Sequence, residues 1–105
     1  MKSYHETISE ILNREVSNRH YIYLYPRHNG KAWVAYEQSA RNLHQLVPHI
    51  KLFCRRLDGT SRFVTTLVIP QYSLDYLTEK GVDICDYDNG RNLRLTLPWK
   101  MRSYK

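Results

Sequence analysis

Apolar residues recur at helical spacing in three segments of the chain. The first follows a Ser-x-x-Glu capping box at Ser3, and it predicts an amphipathic helix over 4–16. The second begins at Ser39, which is placed to cap a helix, and it ends at the next proline. The third begins at Ser73 and ends at Gly81, which we expect to be the left-handed residue that follows the last turn.

Six further segments are short and rich in β-forming residues. They predict strands over 20–25, 31–37, 50–55, 62–69, 82–87 and 93–97. Turn residues such as Asn-Gly and Asp-Gly join them in pairs, which is typical of hairpins. The fourth strand is apolar or threonine on both faces, so we expect it to be covered on two sides.

The predicted elements alternate in the order α-ββ-α-ββ-α-ββ, with no linker or internal repeat between them. We expect one α+β domain over 1–105, in which 98–105 is a basic tail. Its simplest packing is a single mixed, largely antiparallel sheet of about six strands that three helices cover. A chain of 105 residues can bury one core of this kind.

The chain has no apolar run of the roughly 18 residues that a membrane span requires, and its first residues lack the apolar core of a signal peptide. We therefore expect a cytoplasmic protein with no membrane partner. In that reducing compartment Cys54 and Cys85 are free thiols. The five histidines fall on different elements, and neither cysteine has a second one at metal-binding spacing, so we expect no metal and no cofactor.

Sixteen Lys and Arg residues against ten Asp and Glu residues give a formal net charge of +6, which attracts phosphates or acidic partners. Many of the basic residues fall at predicted hairpin tips and in the tail, where aromatic residues lie between them. Guanidinium groups bind phosphates in pairs of hydrogen bonds, and aromatic rings stack on exposed bases. The candidate nucleic-acid contacts are Arg27, Lys31, Arg55, Arg56, Arg62, Trp99, Lys100 and Arg102.

Tyr21, Tyr23 and Tyr25 alternate with apolar residues, so they share one face of the first predicted strand. Two interpretations stay open. The tyrosines can reflect β-propensity, with hydroxyl groups at the wet rim of the sheet. They can also form an adhesive stripe for nucleic acid, for another protein or for a second copy of this chain, and an unpaired edge strand can do the same.

Several segments resemble, in order and spacing, the N-terminal mismatch-recognition domain (domain I) of the MutS DNA-repair family. They are YIYLY at 21–25, Gly30, WVAYEQSA at 33–40, IKLFCRR at 50–56, IPQYSLDYL at 69–77 and GVDIC at 81–85. The resemblance covers roughly 19–88. It implies the α+β fold of that domain and a role in binding DNA rather than RNA.

The chain departs from this family at its most characteristic motif. A Phe-x-Glu motif wedges into DNA at a mismatch in the family, but the matching positions here are Ala32 and Val34. Neither residue can wedge between base pairs or hydrogen-bond to a base through its side chain, and Trp33 between them points to the opposite face. A Walker-type ATPase loop is also missing. The resemblance therefore implies a stand-alone relative that contacts phosphates without reading mismatches.

Two other functions fit the sequence. The chain can be a protein-interaction or assembly module with no nucleic-acid role, which would use the tyrosines or an edge strand. Residues 21–39 also resemble the opening of the GIY-YIG nucleases. Both glycines of that motif are missing, however. Arg41 could match its arginine, and Glu79 could match its metal-binding carboxylate. We expect a binding protein rather than an enzyme, with no catalytic residues.

Overall fold

The computed structural model describes residues 8–27, 31–56, 62–87 and 92–98. Three helices and six strands lie in these ranges: α1 (Ile8–Ser17), β1 (Tyr21–Arg27), β2 (Ala32–Tyr36), α2 (Glu37–Leu46), β3 (Phe53–Arg56), β4 (Phe63–Pro70), α3 (Gln71–Glu79), β5 (Ile84–Tyr87) and β6 (Asn92–Thr96). The predicted α+β class is confirmed. The capping box at Ser3 and all of the basic tail beyond Pro98 lie outside the described residues.

All six strands belong to one open sheet in the order β3-β4-β2-β1-β6-β5. Each pair of neighbours is antiparallel, so the sheet is not mixed as predicted. Hairpins β3–β4 and β5–β6 extend the central β1–β2 pair on either side, and this leaves β3 and β5 as the edge strands.

Helices cover the two faces of the sheet unequally. On one face, α2 and α3 pack aliphatic residues against the strands, and we call it the α2/α3 face. Its fully buried members include Ile22, Leu24, Leu43, Leu67, Ile69 and Leu95. On the other face, α1 is the helix of the described part that packs there, with Ile11 against Tyr25 and Val34, and we call this the α1 face. Tyr21, Tyr23 and Tyr25 point to the α1 face, because alternate residues of a strand share a side.

Both predicted serine caps are wrong. α2 begins at Glu37 directly after β2, and its N-cap residue Tyr36 makes no side-chain cap bond. α3 begins directly after its N-cap residue Pro70. Ser39 and Ser73 therefore lie inside their helices, and both are buried. Each strand runs straight into its helix with no loop between them, so the helix starts earlier than the serine pattern suggests.

The predicted end of α3 at Gly81 is confirmed. Gly81 has a φ of +86°, in the left-handed region that favours glycine. Its N–H donates to the carbonyl of Thr78 at 3.0 Å, and the N–H of Val82 donates to the carbonyl of Leu77 at 3.1 Å. This pair of bonds satisfies the last carbonyls of the helix in a Schellman motif.

The third strand begins later than predicted, at Phe53 rather than residue 50. The N–H of Ile50 donates to the carbonyl of Val47 at 3.0 Å, so the chain is still turning there after α2. Ile50 and Leu52 nevertheless pack against the core of the α2/α3 face. Neither α1, α2 nor α3 has the length and apolar character that crossing a membrane requires.

Candidate nucleic-acid interface

The predicted phosphate contacts fall at two ends of the sheet. Arg27 is paired with Ala32 where β1 ends and β2 begins, and Lys31 directly precedes β2. Arg56 is paired with Phe63 where β3 ends and β4 begins, which is the opposite end. Arg55, Arg56 and Arg62 therefore gather at one end, while Arg27 and Lys31 do not join them. The predicted contacts Trp99, Lys100 and Arg102 lie outside the described residues.

We call the first group, together with its neighbours, the β3–β4 corner; its members are Phe53, Arg55, Arg56, Arg62, Phe63 and Arg41 of α2. The guanidinium carbon of Arg56 lies 5.6 Å from the centre of the Phe63 ring. Arg41 reaches the same strand, since its Nη1 lies 3.4 Å from the hydroxyl of Thr65. Phe63 is 65% exposed and Phe53 is 39% exposed. By the strand register, Phe63 shares one face of the sheet with Arg56, and Phe53 shares the opposite face with Arg55, so each face presents an exposed ring beside an arginine.

Glu37 is the carboxylate that this corner holds among the described residues. Its Oε2 accepts a hydrogen bond from the backbone N–H of Thr65 at 2.8 Å, and its Oε1 lies 3.7 Å from Arg62 Nη2. Such an exposed ion pair is weak. Within the described ranges, Arg41, Arg55 and Arg56 form no ion pair. Among the described residues, the corner therefore carries an excess of positive charge.

The backbone at Glu37 is strained. Its φ of 50° lies in the left-handed region, which non-glycine residues adopt at a cost of about 1–3 kcal/mol. The carboxylate of Glu37 satisfies the N–H of Thr65 just where β2 ends and its pairing with β4 stops. This hydrogen bond stabilises the junction between β2 and α2. It also fixes the start of α2, from which Arg41 extends.

The tyrosines of β1 are not equivalent. Tyr25 is buried, and its hydroxyl accepts a hydrogen bond from Arg14 Nη1 at 2.7 Å. Tyr21 and Tyr23 are accessible, and an arginine lies over each ring. The guanidinium carbon of Arg94 is 4.4 Å from the ring centre of Tyr21, and that of Arg14 is 5.1 Å from the ring centre of Tyr23. Tyr25 is therefore a core residue, and the adhesive-stripe interpretation can apply only to Tyr21 and Tyr23.

Tyr36 of β2 also lies on the α1 face, and the charges of two further arginines act on its hydroxyl group. Burial raises the pKa of its hydroxyl above the ordinary value, and the positive charges of Arg27 and Arg55 oppose that rise. Both guanidinium groups are therefore close enough to Tyr36 to act on it, although Arg27 starts from the far end of β1. The ring of Tyr36 also lies 5.9 Å from that of Tyr25.

A buried polar cluster, which the sequence reasoning missed, joins α1, α2 and β1. The carboxylate of Glu15 accepts hydrogen bonds from the N–H of Ser39 at 2.7 Å, the hydroxyl of Ser39 at 2.6 Å and the amide of Asn18 at 3.0 Å. The hydroxyl of Ser39 in turn accepts from the N–H of Tyr23 at 2.9 Å. Glu15 thus caps the first turn of α2 from a neighbouring helix, where Ser39 was expected to act as the cap itself.

Burial raises the pKa of the Glu15 carboxyl above its ordinary value near 4.5, and the hydrogen bonds from Asn18 and Ser39 oppose this. We assign the ionised form at neutral pH, because both donors of Ser39 and the amide of Asn18 point at its oxygens. A signal for this residue was present in the sequence. Glu15 follows Ile8 and Ile11 on the apolar stripe of α1, where a charged residue needs internal partners.

Both cysteines are free and exposed, as predicted. Cys54 lies on β3 and Cys85 on β5, the two opposite edges of the sheet, which rules out a disulfide between them within one folded chain. In the part of the chain that the structure describes, no three His, Cys, Asp or Glu side chains are placed to hold a metal ion.

The positions that match the family's mismatch motif, Ala32 and Val34, are both buried, and Val34 packs in the cluster under α1. Trp33 points to the opposite face, as predicted, and its indole N–H donates to the side-chain oxygen of Gln71 at 2.7 Å. Comparison of the chain with family models, with curated proteins and with solved structures gave no match. The resemblance to the MutS domain therefore stays a hypothesis.

Proposed function

We propose that the protein binds nucleic acid and that the β3–β4 corner contacts the phosphates. The observation that carries this proposal is the group of Arg41, Arg55 and Arg56, which form no ion pair with a described residue. Arg56 contacts exposed Phe63, and Arg55 lies on the opposite face of the same end of the sheet. A surface cation without an internal partner is available to a phosphate. The formal net charge of +6 supports the same conclusion, because it draws polyanions to the protein from a distance.

The rings at the corner favour unpaired bases over a closed duplex. Phe53 and Phe63 are exposed large aromatic residues on neighbouring strands. A base stacked on such a ring contributes about 1–3 kcal/mol, and it must first leave its own stack. We therefore expect tighter binding to single-stranded DNA, or to frayed ends, than to paired duplex. Ala32 and Val34 are buried, so neither can wedge between base pairs. We therefore expect mismatched duplex to bind only slightly more tightly than fully paired duplex, because the bases at a mismatch unstack more easily.

Alanine at Arg41, Arg55 and Arg56 together tests the proposal. We expect this variant to remain folded, since the three side chains make at most a long contact with Thr65 and a ring contact with Phe63. It should bind a single-stranded oligonucleotide at least tenfold more weakly than the unmodified protein. The control replaces two exposed lysines that are not predicted contacts, Lys51 and Lys80, and the losses are compared per charge removed. An equal loss per charge in both variants would show that total charge matters rather than this corner.

The proposal is one of binding without catalysis. Incubation of DNA and RNA with the pure protein and Mg²⁺ should leave both substrates intact. Cleavage that disappears on changing Arg41 or Glu79 would instead favour the nuclease alternative.

The open edges of the sheet support a second candidate, an assembly module. β3 and β5 leave one side of their backbones without a strand partner among the described elements, and unpaired strands can add a strand from another chain. A stable dimer in sedimentation equilibrium, together with no binding of oligonucleotides at low salt, would favour this candidate over the first.

A further inference from the structure

A groove of about 330 Å³ lies where the last turn of α1 passes over the α1 face. It is lined by Tyr21, Tyr23 and Thr96 of the sheet, by Arg14 and Ser17 of α1, and by Asn18, Arg19 and His20 of the loop that follows α1. It is separate from the β3–β4 corner, since β4 and β2 lie between β3 and β1 in the sheet. The volume is at the low end of the range for small-molecule sites, so the groove suits a ligand about the size of one nucleotide.

The charge of the groove favours an anion. Two arginines and a histidine line it, and no carboxylate of the described residues does. The carbonyl end of α1 opposes this with a partial charge of roughly −0.5, which is smaller than the two full charges of Arg14 and Arg19. The buried carboxylate of Glu15 lies nearby, and its negative charge offsets part of the charge of Arg14, but it does not line the groove. The balance is therefore positive.

The arginines at the groove are held in place before any ligand arrives. Arg14 lies over the ring of Tyr23, and Arg94 lies over the ring of Tyr21. The Nε atom of Arg94 is buried and has no hydrogen-bond partner among the described residues. A guanidinium group that already packs over a ring loses less conformational freedom when an anion binds to its N–H groups. This arrangement favours recognition of a phosphate.

The walls of the groove are fixed by the buried polar cluster. Asn18 donates to the carbonyl of Tyr21 at 2.9 Å and accepts from its N–H at 3.1 Å. Asn42 donates to the carbonyls of Arg19 and Tyr21, each at 3.0 Å. The carbonyl of His20 accepts from the N–H of Leu97 at 2.7 Å. The loop between α1 and β1 is therefore tied to α2 and β6, which gives the groove a preformed shape.

We propose that this groove binds a phosphomonoester carried on a nucleoside. Arg14 and Arg19 hold the phosphate, the hydroxyl of Thr96 is available to it as a donor, and the nucleoside lies along the accessible edges of Tyr21 and Tyr23. A free nucleoside monophosphate and the phosphorylated end of a DNA or RNA strand share this chemistry. The assignment does not depend on the β3–β4 corner.

The test compares adenosine 5′-monophosphate, adenosine and inorganic phosphate in calorimetric and NMR titrations of the full chain. We expect the monophosphate to bind at least tenfold more tightly than adenosine or phosphate, with shifts at the amides of Tyr21 and Tyr23. Equal binding of adenosine, or no binding of the monophosphate at millimolar concentration, overturns the proposal. The natural ligand is a strand end if a 5′-phosphorylated oligonucleotide binds more tightly than both the monophosphate and the dephosphorylated oligonucleotide. The natural ligand is the free nucleotide if the monophosphate and the phosphorylated oligonucleotide bind with equal affinity.

Two variants locate the ligand. Arg19→Ala removes an exposed side chain, while the backbone carbonyl that holds the loop remains. We expect it to weaken binding of the monophosphate about tenfold, because a charge-assisted hydrogen bond is lost. Arg41→Ala removes the same charge at the β3–β4 corner and should leave this affinity unchanged. Equal losses in the two variants place the ligand outside the groove and contradict the proposal, whatever happens to oligonucleotide binding at the corner.

Discussion

The two faces of the sheet are built from different chemistry. On the α2/α3 face, aliphatic residues of four strands pack under two helices, and many of them are fully buried. On the α1 face, a single ten-residue helix covers part of the sheet, and tyrosines and arginines lie beside it. Aliphatic packing stabilises a fold without selecting a ligand, whereas exposed rings and guanidinium groups are the usual means of selecting one. The first face supplies most of the aliphatic core, and the second leaves rings and guanidinium groups accessible.

Neighbouring residues of β4 give the largest expected contrast between the faces. Leu67 is fully buried on the α2/α3 face, so Leu67→Ala should lower the free energy of unfolding by about 2–5 kcal/mol. Val68 lies on the α1 face and is half-buried, so Val68→Ala should cost about 1 kcal/mol. Urea denaturation measures both. Equal losses would mean that α1 closes its face as tightly as the other two helices close theirs.

Mutation of the buried polar cluster should give the next largest loss in the free energy of unfolding. Ser39→Ala removes a hydroxyl that donates to Glu15 and accepts from the N–H of Tyr23. The groups left behind lose partners inside the protein, so we expect a loss of about 2–3 kcal/mol in urea denaturation. Ser17→Ala is a matched control, since that hydroxyl is exposed and makes only a long bond of 3.4 Å to Arg14. A loss below about 0.5 kcal/mol for Ser39→Ala would show that the cluster contributes little to stability.

Glu15 should make stability depend on pH in a defined direction. Because the pKa of its carboxyl is raised in the folded chain, that chain binds the proton more tightly than the unfolded chain does. The contribution of Glu15 to stability is therefore largest below its ordinary pKa near 4.5 and falls as the pH rises toward the folded value. Denaturation from pH 4 to pH 7 should show this fall in the unmodified protein and not in Glu15→Gln. The same pH dependence in both would assign it to another group.

The smallest expected effect on stability is at Glu37. Glu37→Gln keeps an oxygen that can accept from the N–H of Thr65 and removes the ion pair with Arg62, so it should cost at most about 0.5 kcal/mol. It also removes a negative charge from the β3–β4 corner. Affinity for an oligonucleotide should therefore rise while stability hardly changes, and fluorescence anisotropy can measure that rise. Weaker binding would mean that Glu37 positions the arginines rather than opposing them.

Strands and helices could be predicted where local pattern alone decides them. Alternation in β1 and β2 separated buried Ile22 and Leu24 from the tyrosines, and Gly81 marked the end of α3 through its left-handed backbone. The starts of α2 and α3 could not be predicted. Each follows a strand without a loop, and the cap of α2 comes from Glu15, which lies more than twenty residues away in sequence.

The candidate sites depend even more on tertiary structure. Arg55, Arg56 and Arg62 were predicted to share a hairpin end, and the register of β3 with β4 brings them there. Arg41 joins them only because α2 folds back onto β4. Arg94 was not singled out, because its contact with Tyr21 arises from the pairing of β1 with β6, which are the first and last strands along the chain. Sequence pattern does not determine such pairings.

The salt dependence of oligonucleotide binding tests the central claim most directly. If the four arginines of the β3–β4 corner each neutralise one phosphate, the slope of log affinity against log salt should be about −3 on single strands and about −3.6 on duplex DNA. Alanine at Arg41, Arg55 and Arg56 should reduce the slope to about −1 or less on either substrate. A slope unchanged by these substitutions, or no binding at 50 mM salt, would contradict the account.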